Sequence, residues 1–311
     1  MNKLKVLELF AGIGACSKAL ERLGIEHEIV DAVEIDKYAI KSFNAIHNTN
    51  FEPQDICEWD KDIEVDLLMH GSPCQDFSAA GLQKSGDKGS GTRSSLMWET
   101  IRIVEKLKPK YVIWENVKNL LSKKHRHNFD AYLETMEGLG YTNHYQVLNA
   151  KDYGNIPQNR ERVFTISILG ENNFKFPEPK ELKLKLKDML ENQPQQDYYV
   201  VDKYLEFTNF YTIPRGSDGK LINGSYNRVW KEERYCGAIN LTKVQEVGKK
   251  DSTNNLIIRK ITSREAWKLM GFDSEDYEKA AKVNLGNNLS KQAGNSIVVN
   301  VLEAILTNLL K

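Results

Sequence analysis

Cys74 is the residue of this sequence best suited to covalent chemistry. It follows the largely apolar run 65–70, which predicts a buried strand that stops at Gly71 and Pro73. Open α/β sheets form their sites just beyond the carboxyl ends of such strands, and a thiolate is the strongest nucleophile among ordinary side chains. A half-buried structural cysteine at the start of a loop fits the same stretch. The stretch alone therefore leaves a nucleophile and a structural cysteine as equal alternatives.

A carboxylate and two guanidinium groups occur at positions that lead to one edge of the predicted sheet. Glu115 follows the apolar run Tyr111–Trp114, which predicts another parallel strand. Its carboxylate would therefore face the same edge as Cys74. Arg160 and Arg162 are separated by one residue, so on an extended segment both point the same way and suit a phosphate or a carboxylate. Surface ion pairs are the alternative for these two arginines.

A glycine turn near the amino terminus predicts a nucleotide-like ligand. Gly12 and Gly14 lie between a predicted strand and an amphipathic helix, although an ordinary tight turn would suit them equally. Glu34 ends the next strand about 20 residues later, where its carboxylate could hold two ribose hydroxyls. Ser17 replaces the third glycine of the dinucleotide fingerprint, which a ligand without a pyrophosphate would not need. Asp55 could accept a hydrogen bond from an adenine amine, although a solvated loop acid is the simpler interpretation.

Alternating strand and helix patterns must position these residues. We expect an α/β protein with a doubly wound, mostly parallel sheet. The alternation stops near residue 174, a helical pattern returns from Ile257, and the last predicted helix is Ile297–Leu310. The intervening segment is rich in prolines and aromatic residues with interleaved cations, which predicts a smaller, irregular β-rich domain that reads nucleic acid or is simply an insertion. We therefore expect one domain of residues 1–174 and 287–311 and a second of residues 175–286.

Composition restricts the class of protein. Lys+Arg and Asp+Glu both total 43, so the formal net charge is zero and any basic surface for nucleic acid must be local. The four cysteines have neither C-x-x-C spacing nor a histidine cluster beside them, which argues against a zinc site and a disulfide framework. We expect a cytoplasmic protein without a metal or a membrane anchor, because no signal peptide or long apolar span is evident.

A series of short motifs runs along the chain. They are Phe10-Ala11-Gly12-Ile13-Gly14, Glu34-Ile35-Asp36, Asp55-Ile56, Pro73-Cys74-Gln75, Glu115-Asn116-Val117, Gln158-Asn159-Arg160-Glu161-Arg162, Arg264-Glu265-Ala266 and Gly294-Asn295-Ser296. Together and in this order they resemble the motifs of the DNA (cytosine-5) methyltransferase family. The resemblance covers about residues 4–170 and 257–311 and omits the middle segment, which varies freely in that family. Ser72 and the missing glycine after Arg93 are mild departures that remove no reacting group.

The resemblance implies that a cytosine turned out of double-stranded DNA is methylated at C5. Cys74 would add to C6, Glu115 would hydrogen-bond N3 and the exocyclic amine, and Arg162 would bind the O2 side of the base. Arg160 would support nearby backbone or phosphate. S-adenosyl-L-methionine is the implied methyl donor, and the implied fold is the Rossmann-like fold of methyltransferases that use it. A monomer is expected, in a restriction-modification or solitary methylation system with any cognate endonuclease acting separately.

The same resemblance implies a set of cofactor and DNA contacts. The cofactor would lie beside Phe10 and Ile13, with Glu34 on its ribose and Asp55 and Ile56 on its adenine. Other implied cofactor contacts are Gly12, Gly14, Ile35, Pro73, Leu96, Asn295 and Ser296. The long polar loop after Cys74 would close over the DNA as a lid. Its implied DNA contacts are Gln75, Ser78 and Arg93.

Three alternatives remain at this stage. An RNA cytosine-5 methyltransferase would share the core, but the Cys-Phe-Thr signature of the tRNA-modifying branch does not occur, and Tyr235-Cys236-Gly237 is not a match. A catalytically silent DNA-binding protein would be expected to lack Cys74 or Glu115. A nicotinamide oxidoreductase would leave Pro73-Cys74-Gln75 and the arginine pair unexplained.

Overall fold

A mixed six-stranded sheet carries the predicted site residues in the computed structural model, which describes residues 3–73, 96–192, 194, 197–214, 228–239 and 245–311. The apolar runs of the sequence form its strands, and their buried side chains pack against helices on both faces. The elements of this half of the chain are β1 (Leu4–Leu9), α1 (Ala15–Arg22), β2 (His27–Val33), α2 (Lys37–His47), β3 (Leu67–His70), α3 (Met97–Leu107), β4 (Tyr111–Val117), α4 (Arg126–Gly138), β5 (Tyr141–Asn149), α5 (Ala150–Tyr153), β6 (Gln158–Asn159) and β7 (Glu161–Leu169).

The strand order of this sheet is β2-β1-β3-β4-β7-β5. The first four strands are parallel, whereas β7 runs antiparallel to both of its neighbours. The predicted α/β class with a doubly wound, mostly parallel sheet is confirmed. Because the chain crosses to opposite sides after β1 and after β2, the switch point of the sheet lies between β1 and β3, where such folds bind ligands.

The parallel strands end in one row at their carboxyl ends. Leu9 pairs with Val33 on one side and with His70 on the other, and His70 pairs in turn with Trp114. The next residues along these strands form the following row of the sheet edge, and they are Phe10, Glu34, Gly71 and Glu115. Three of these four are site residues predicted from the sequence, and the fourth precedes Pro73 by two residues.

A second six-stranded sheet lies within the segment 175–286. The prediction of a second β-rich region is thus confirmed. This sheet has its own small hydrophobic cluster, which includes Tyr211, Val229 and Ile258. A parallel two-residue ladder between β12 (Cys236–Gly237) and β6 connects this segment to the site-bearing half of the chain. The strands of the second sheet are β8 (Tyr199–Val201), β9 (Leu205–Glu206), β10 (Phe210–Thr212), β11 (Arg228–Lys231), β13 (Glu246–Lys250) and β14 (Leu256–Lys260), in the sheet order β8-β14-β13-β11-β10-β9.

Four helices follow the second sheet: α6 (Ser263–Leu269), α7 (Ser274–Ala281), α8 (Gly286–Asn295) and α9 (Val299–Leu310). The last helix begins two residues later than the sequence predicted and packs against α1. By length and composition the stretch Gly286–Leu310 could cross a membrane. It is, however, broken between α8 and α9, and α9 buries its apolar side chains in the protein core.

Candidate active site

A cleft opens at the switch point between β1 and β3. About 410 Å³ of space without protein atoms lies in and in front of this cleft, and that volume includes open solvent. The walls of the cleft include Glu8 of β1, Met69 of β3 and Gly71, which directly follows β3. The sequence-predicted site residues that line it are Phe10, Gly12, Ile13, Glu115, Asn295 and Ser296. The cleft thus brings predicted cofactor residues from both ends of the chain together with the predicted catalytic carboxylate.

Glu115 and Arg162 form an ion pair across β4 and β7. Glu115 stands opposite Phe164 in the antiparallel ladder, so Arg162 is its diagonal neighbour on the same face. Arg162 Nε lies 3.0 Å from Glu115 Oε1, and the two side chains are 21% and 11% exposed. Arg162 Nη1 also donates to the main-chain oxygen of Glu161 at 2.8 Å. This arrangement fixes the orientation of a largely buried carboxylate that keeps one side towards the cleft.

Arg160 has a different environment from Arg162, although the sequence predicted that the two would point the same way. Its guanidinium is buried and donates to the main-chain oxygens of Ile239 at 2.7 Å, Gly294 at 3.3 Å and Ser296 at 2.8 Å. These contacts bind the Arg160 guanidinium to the protein's own main chain, and its predicted role in the site stays a prediction. Arg160 therefore connects the segment after β12 with the turn between α8 and α9.

The exit from β3 is fixed to β4 just before the predicted nucleophile. Trp114 Nε1 donates to Ser72 Oγ at 3.0 Å, and Asn116 Nδ2 donates to the oxygen of Ser72 at 3.4 Å. Pro73 follows and is partly buried. Cys74, Gln75, Ser78 and Arg93 lie outside the described residues, so their predicted roles stay predictions.

The glycine turn after β1 has the left-handed backbone that glycine permits. Gly12 has φ +56° and Gly14 has φ +80°. A Cβ at Gly14 would lie 2.1 Å from His47 Nε2, which itself contacts the oxygen of Ile13 at 3.2 Å. Phe10 also has a positive φ of 54°. The turn is therefore held in shape by His47 and has no room for a side chain at Gly14.

Glu34 closes this turn from the end of β2. Its Oε2 accepts from the main-chain N–H of Gly12 at 3.0 Å, and its Oε1 accepts from that of Asp36 at 2.8 Å. Burial raises the pKa of Glu34, and these hydrogen bonds oppose the shift. The main-chain N–H of Gln54 donates to the oxygen of Glu34 at 2.9 Å, which brings the Asp55 segment beside it.

The predicted adenine contacts differ in exposure. Ile56 is buried in the hydrophobic cluster that Phe10 and Leu96 contact. Asp55 is exposed and accepts from the main-chain N–H of Cys57 at 2.9 Å. Ile35 is 69% exposed beside Glu34. An apolar side chain this exposed at the sheet edge is available to cover a flat ring.

Glu8 is a residue of the cleft that the sequence analysis did not single out. Its Oε1 accepts from the N–H of Ser17 at 3.0 Å and from the Ser17 hydroxyl. The carboxylate thus caps α1, whose N-cap residue Gly14 has no side chain to do so. Burial raises the pKa of Glu8 to about 7. An acid between the apolar residues Leu7 and Leu9 of β1 was the available signal, because a buried charge requires a specific partner.

The cysteines other than Cys74 are poorly suited to act as nucleophiles. Burial raises the pKa of the Cys16 thiol and raises that of Cys236 to about 12. The pKa of the exposed Cys57 is also raised, by partial burial and by Asp55. All three therefore remain thiols near neutral pH.

Comparisons with known proteins agree with this architecture. The family model for C-5 cytosine-specific DNA methylase matches residues 4–311. Type II methyltransferase M2.ScrFI of Lactococcus lactis subsp. cremoris is 34% identical over 99% of both chains. Type II methyltransferase M.HhaI of Haemophilus parahaemolyticus is 35% identical over 99% of this chain and 95% of its own.

Solved structures share the fold at lower identity. The S. pombe Dnmt2 methyltransferase superposes with a TM-score of 0.71 at 21% identity, covering 99% of this chain and 100% of its own. Members of the matched family use S-adenosylmethionine as methyl donor. The match of the family model to residues 4–311, together with relatives of this similarity, shows that the chain belongs to the C-5 cytosine-specific DNA methylase family.

Proposed function

We propose that this protein methylates C5 of a cytosine in double-stranded DNA, with Cys74 as nucleophile. The observation that carries the proposal is the row of strand ends that places Glu115 beside Gly71, three residues before Cys74. A Cβ added at Gly71 would lie 3.8 Å from Glu115 Oε2, so the carboxylate lies beside the residue that follows β3. A nucleophile that follows one strand in the sequence and a hydrogen-bonding carboxylate at the end of the adjacent strand suit addition to a base.

The roles of the side chains follow from the chemistry of cytosine, whose C5 is a weak nucleophile. The Cys74 thiolate forms a bond to C6, which makes C5 electron-rich. Glu115 accepts from the exocyclic amine and shares a proton with N3, which becomes more basic as the C6–sulfur bond forms, and so stabilises the adduct. Arg162 holds Glu115 in place and reaches the O2 side of the base. After C5 is methylated, water takes the C5 proton, and the electron pair of that C–H bond restores the C5–C6 double bond as the C6–sulfur bond breaks and releases Cys74.

The residues around the glycine turn fit S-adenosylmethionine, which supplies an electrophilic methyl group when bound. The turn leaves open space at Gly12, where a Cβ would have no heavy atom within 4 Å, and the Glu34 carboxylate lies beside it. Ile56, Phe10 and Leu96 form an apolar wall for the adenine. Asn295 and Ser296 line the same cleft from the α8–α9 turn. Asp55, Ile35, Gly12, Ile13, Gly14 and Pro73 complete the proposed cofactor contacts.

The DNA target is read by the segment 175–286, in our proposal, while residues 1–174 and 287–311 carry the reaction. The separate second sheet and its own hydrophobic cluster support this division. Relatives named type II and orphan methyltransferases, the latter from Bacillus phages, support a role in restriction-modification or in solitary DNA methylation. Exchanging residues 175–256 with those of a related enzyme is expected to transfer the target sequence.

Bisulfite sequencing of a plasmid incubated with the purified protein and S-adenosylmethionine tests the proposal. We expect 5-methylcytosine at one short recurring sequence, and none with Cys74→Ser, which should still bind the cofactor. Unmodified DNA together with methylated tRNA would identify an RNA methyltransferase instead. DNA binding without any methyl transfer would identify a silent binding protein.

A further inference from the structure

Ser72 is held from one face of β4 while Glu115 occupies the other. Side chains alternate along a strand, so Trp114 and Asn116 share one face and Glu115 projects from the opposite face. Trp114 donates to the Ser72 hydroxyl at 3.0 Å and Asn116 donates to the Ser72 carbonyl at 3.4 Å. The two sequence neighbours of Glu115 thus hydrogen-bond Ser72, in the segment that follows β3. Gly71, in the same segment, lies near the Glu115 carboxylate.

The three side chains that form these two contacts are buried, and the Trp114 ring is tightly packed. The exposed fractions of Ser72, Trp114 and Asn116 are 3%, 1% and 1%. The Trp114 ring stacks on His70 with an interplanar angle of 6° and packs at 4.2 Å between centroids against Tyr132. A ring enclosed in this way cannot turn towards another acceptor, and an indole N–H buried without a partner is costly. The Ser72 hydroxyl therefore supplies a required acceptor.

We propose that Ser72 is a positioning residue for methyl transfer and that Trp114 acts on the reaction through it. The two hydrogen bonds fix the main chain two residues before Cys74 relative to the strand that bears Glu115. Pro73 has a restricted φ and also restricts the residue before it, so a fixed Ser72 narrows the directions in which the chain continues. This inference rests on the proposed function, in which Cys74 must meet the C6 atom of a base held by Glu115.

The test uses DNA that carries 5-fluorocytosine at the target position. Cys74 adds to C6 and the methyl group goes to C5, but fluorine replaces the proton that must leave, so the C6–sulfur bond persists and a covalent complex accumulates. We expect Ser72→Ala and Trp114→Phe each to slow formation of this complex about tenfold. The double variant should be no slower than either single variant, because both changes remove one hydrogen bond. The dissociation constants for S-adenosylmethionine and DNA should stay within about twofold of the wild-type values, so that kcat falls and KM does not rise.

Trp267→Phe is the matched control. It removes a second buried indole hydrogen bond, from Trp267 Nε1 to the oxygen of Leu289 at 2.9 Å, which joins α6 to α8 and does not involve β3 or β4. Like Trp114→Phe, it should lower the urea concentration at which half of the protein is unfolded. Unlike Trp114→Phe, it should not slow formation of the covalent complex per folded molecule. Wild-type rates in Ser72→Ala, or rate losses that multiply in the double variant, would overturn the positioning role alone. Failure of the wild-type protein to form the complex would overturn both this role and the proposed function.

Discussion

Arg162 Nε lies 3.0 Å from Glu115 Oε1, whereas Arg160, two residues earlier, directs its guanidinium to three main-chain oxygens. Arg162 thus pairs with the carboxylate of the proposed catalytic site, whereas Arg160 supports the main chain around that site. The two residues should consequently respond differently to the same substitution, which separates chemistry from stability.

Loss of the Glu115 charge should impair turnover more than folding. Glu115→Gln keeps the shape of the side chain but removes the charge that pairs with Arg162, so we expect kcat to fall about 100-fold or more. Steady-state methyl transfer to target DNA measures this effect. Glu161→Gln is the control, because it breaks an exposed ion pair between Glu161, at the start of β7, and Lys118, which follows β4, and should leave kcat unchanged. Equal losses in both variants would contradict the role of Glu115.

Arg160→Lys should destabilise the fold. A lysine cannot reach three separate main-chain oxygens with one planar fork, so buried acceptors lose their donors. We expect the free energy of unfolding in urea to fall by about 3 kcal/mol. Arg162→Lys, at a partly exposed pair, should cost less than about 1 kcal/mol while lowering kcat. A reversed order would show that Arg160 acts in the reaction and Arg162 in the scaffold.

Glu8 should make the stability of the fold fall with rising pH. Burial raises its folded-state pKa from 4.5 to about 7, so between these values the folded protein binds the proton more tightly than the unfolded chain. The stabilising contribution is complete below pH 4.5 and is lost as the pH approaches about 7. It amounts to at most about 3 kcal/mol, at about 1.36 kcal/mol per pKa unit.

Glu8→Gln isolates this contribution. The amide oxygen still accepts from Ser17 but does not titrate, so the wild-type minus variant difference in unfolding free energy should decrease across that range. Burial lowers the pKa values of His47 and His70 and gives them the opposite pH dependence, which is common to both proteins and cancels. A difference that is flat with pH would show that Glu8 titrates normally.

Gly14→Ala should be far more damaging than Gly12→Ala. Both positions have positive φ, which costs an alanine about 1–2 kcal/mol. Only at Gly14 would the new Cβ also meet another side chain, at 2.1 Å from His47 Nε2, whereas Gly12 has no heavy atom within 4 Å. Thermal unfolding with and without S-adenosylmethionine measures both effects. Adding His47→Ala should recover part of the loss in Gly14→Ala, because Phe43 Cε2 at 2.9 Å still crowds the new Cβ, and the absence of any recovery would rule out His47 as the steric cause.

The sequence by itself determined which groups are available for chemistry and the class of fold. Strand and helix periodicities are local, so the parallel strands could be recognised, and the carboxyl ends of such strands place Phe10, Glu34 and Glu115 at one edge. The motif order was enough to name the family. Helix α8 was missed because its two glycines and three asparagines give a weak helical pattern.

Only the tertiary structure decided which partner each of these groups has. The partners of Arg160 are 79 to 136 residues away in the chain, and Ser72 and Trp114 are 42 residues apart. Periodicity shows which face a side chain occupies on its own element, but a hydrogen-bond partner depends on which distant element packs there. For the same reason the role of Glu8, the one acid of β1, could be recognised only from the structure, which shows that its carboxylate accepts from Ser17 of α1.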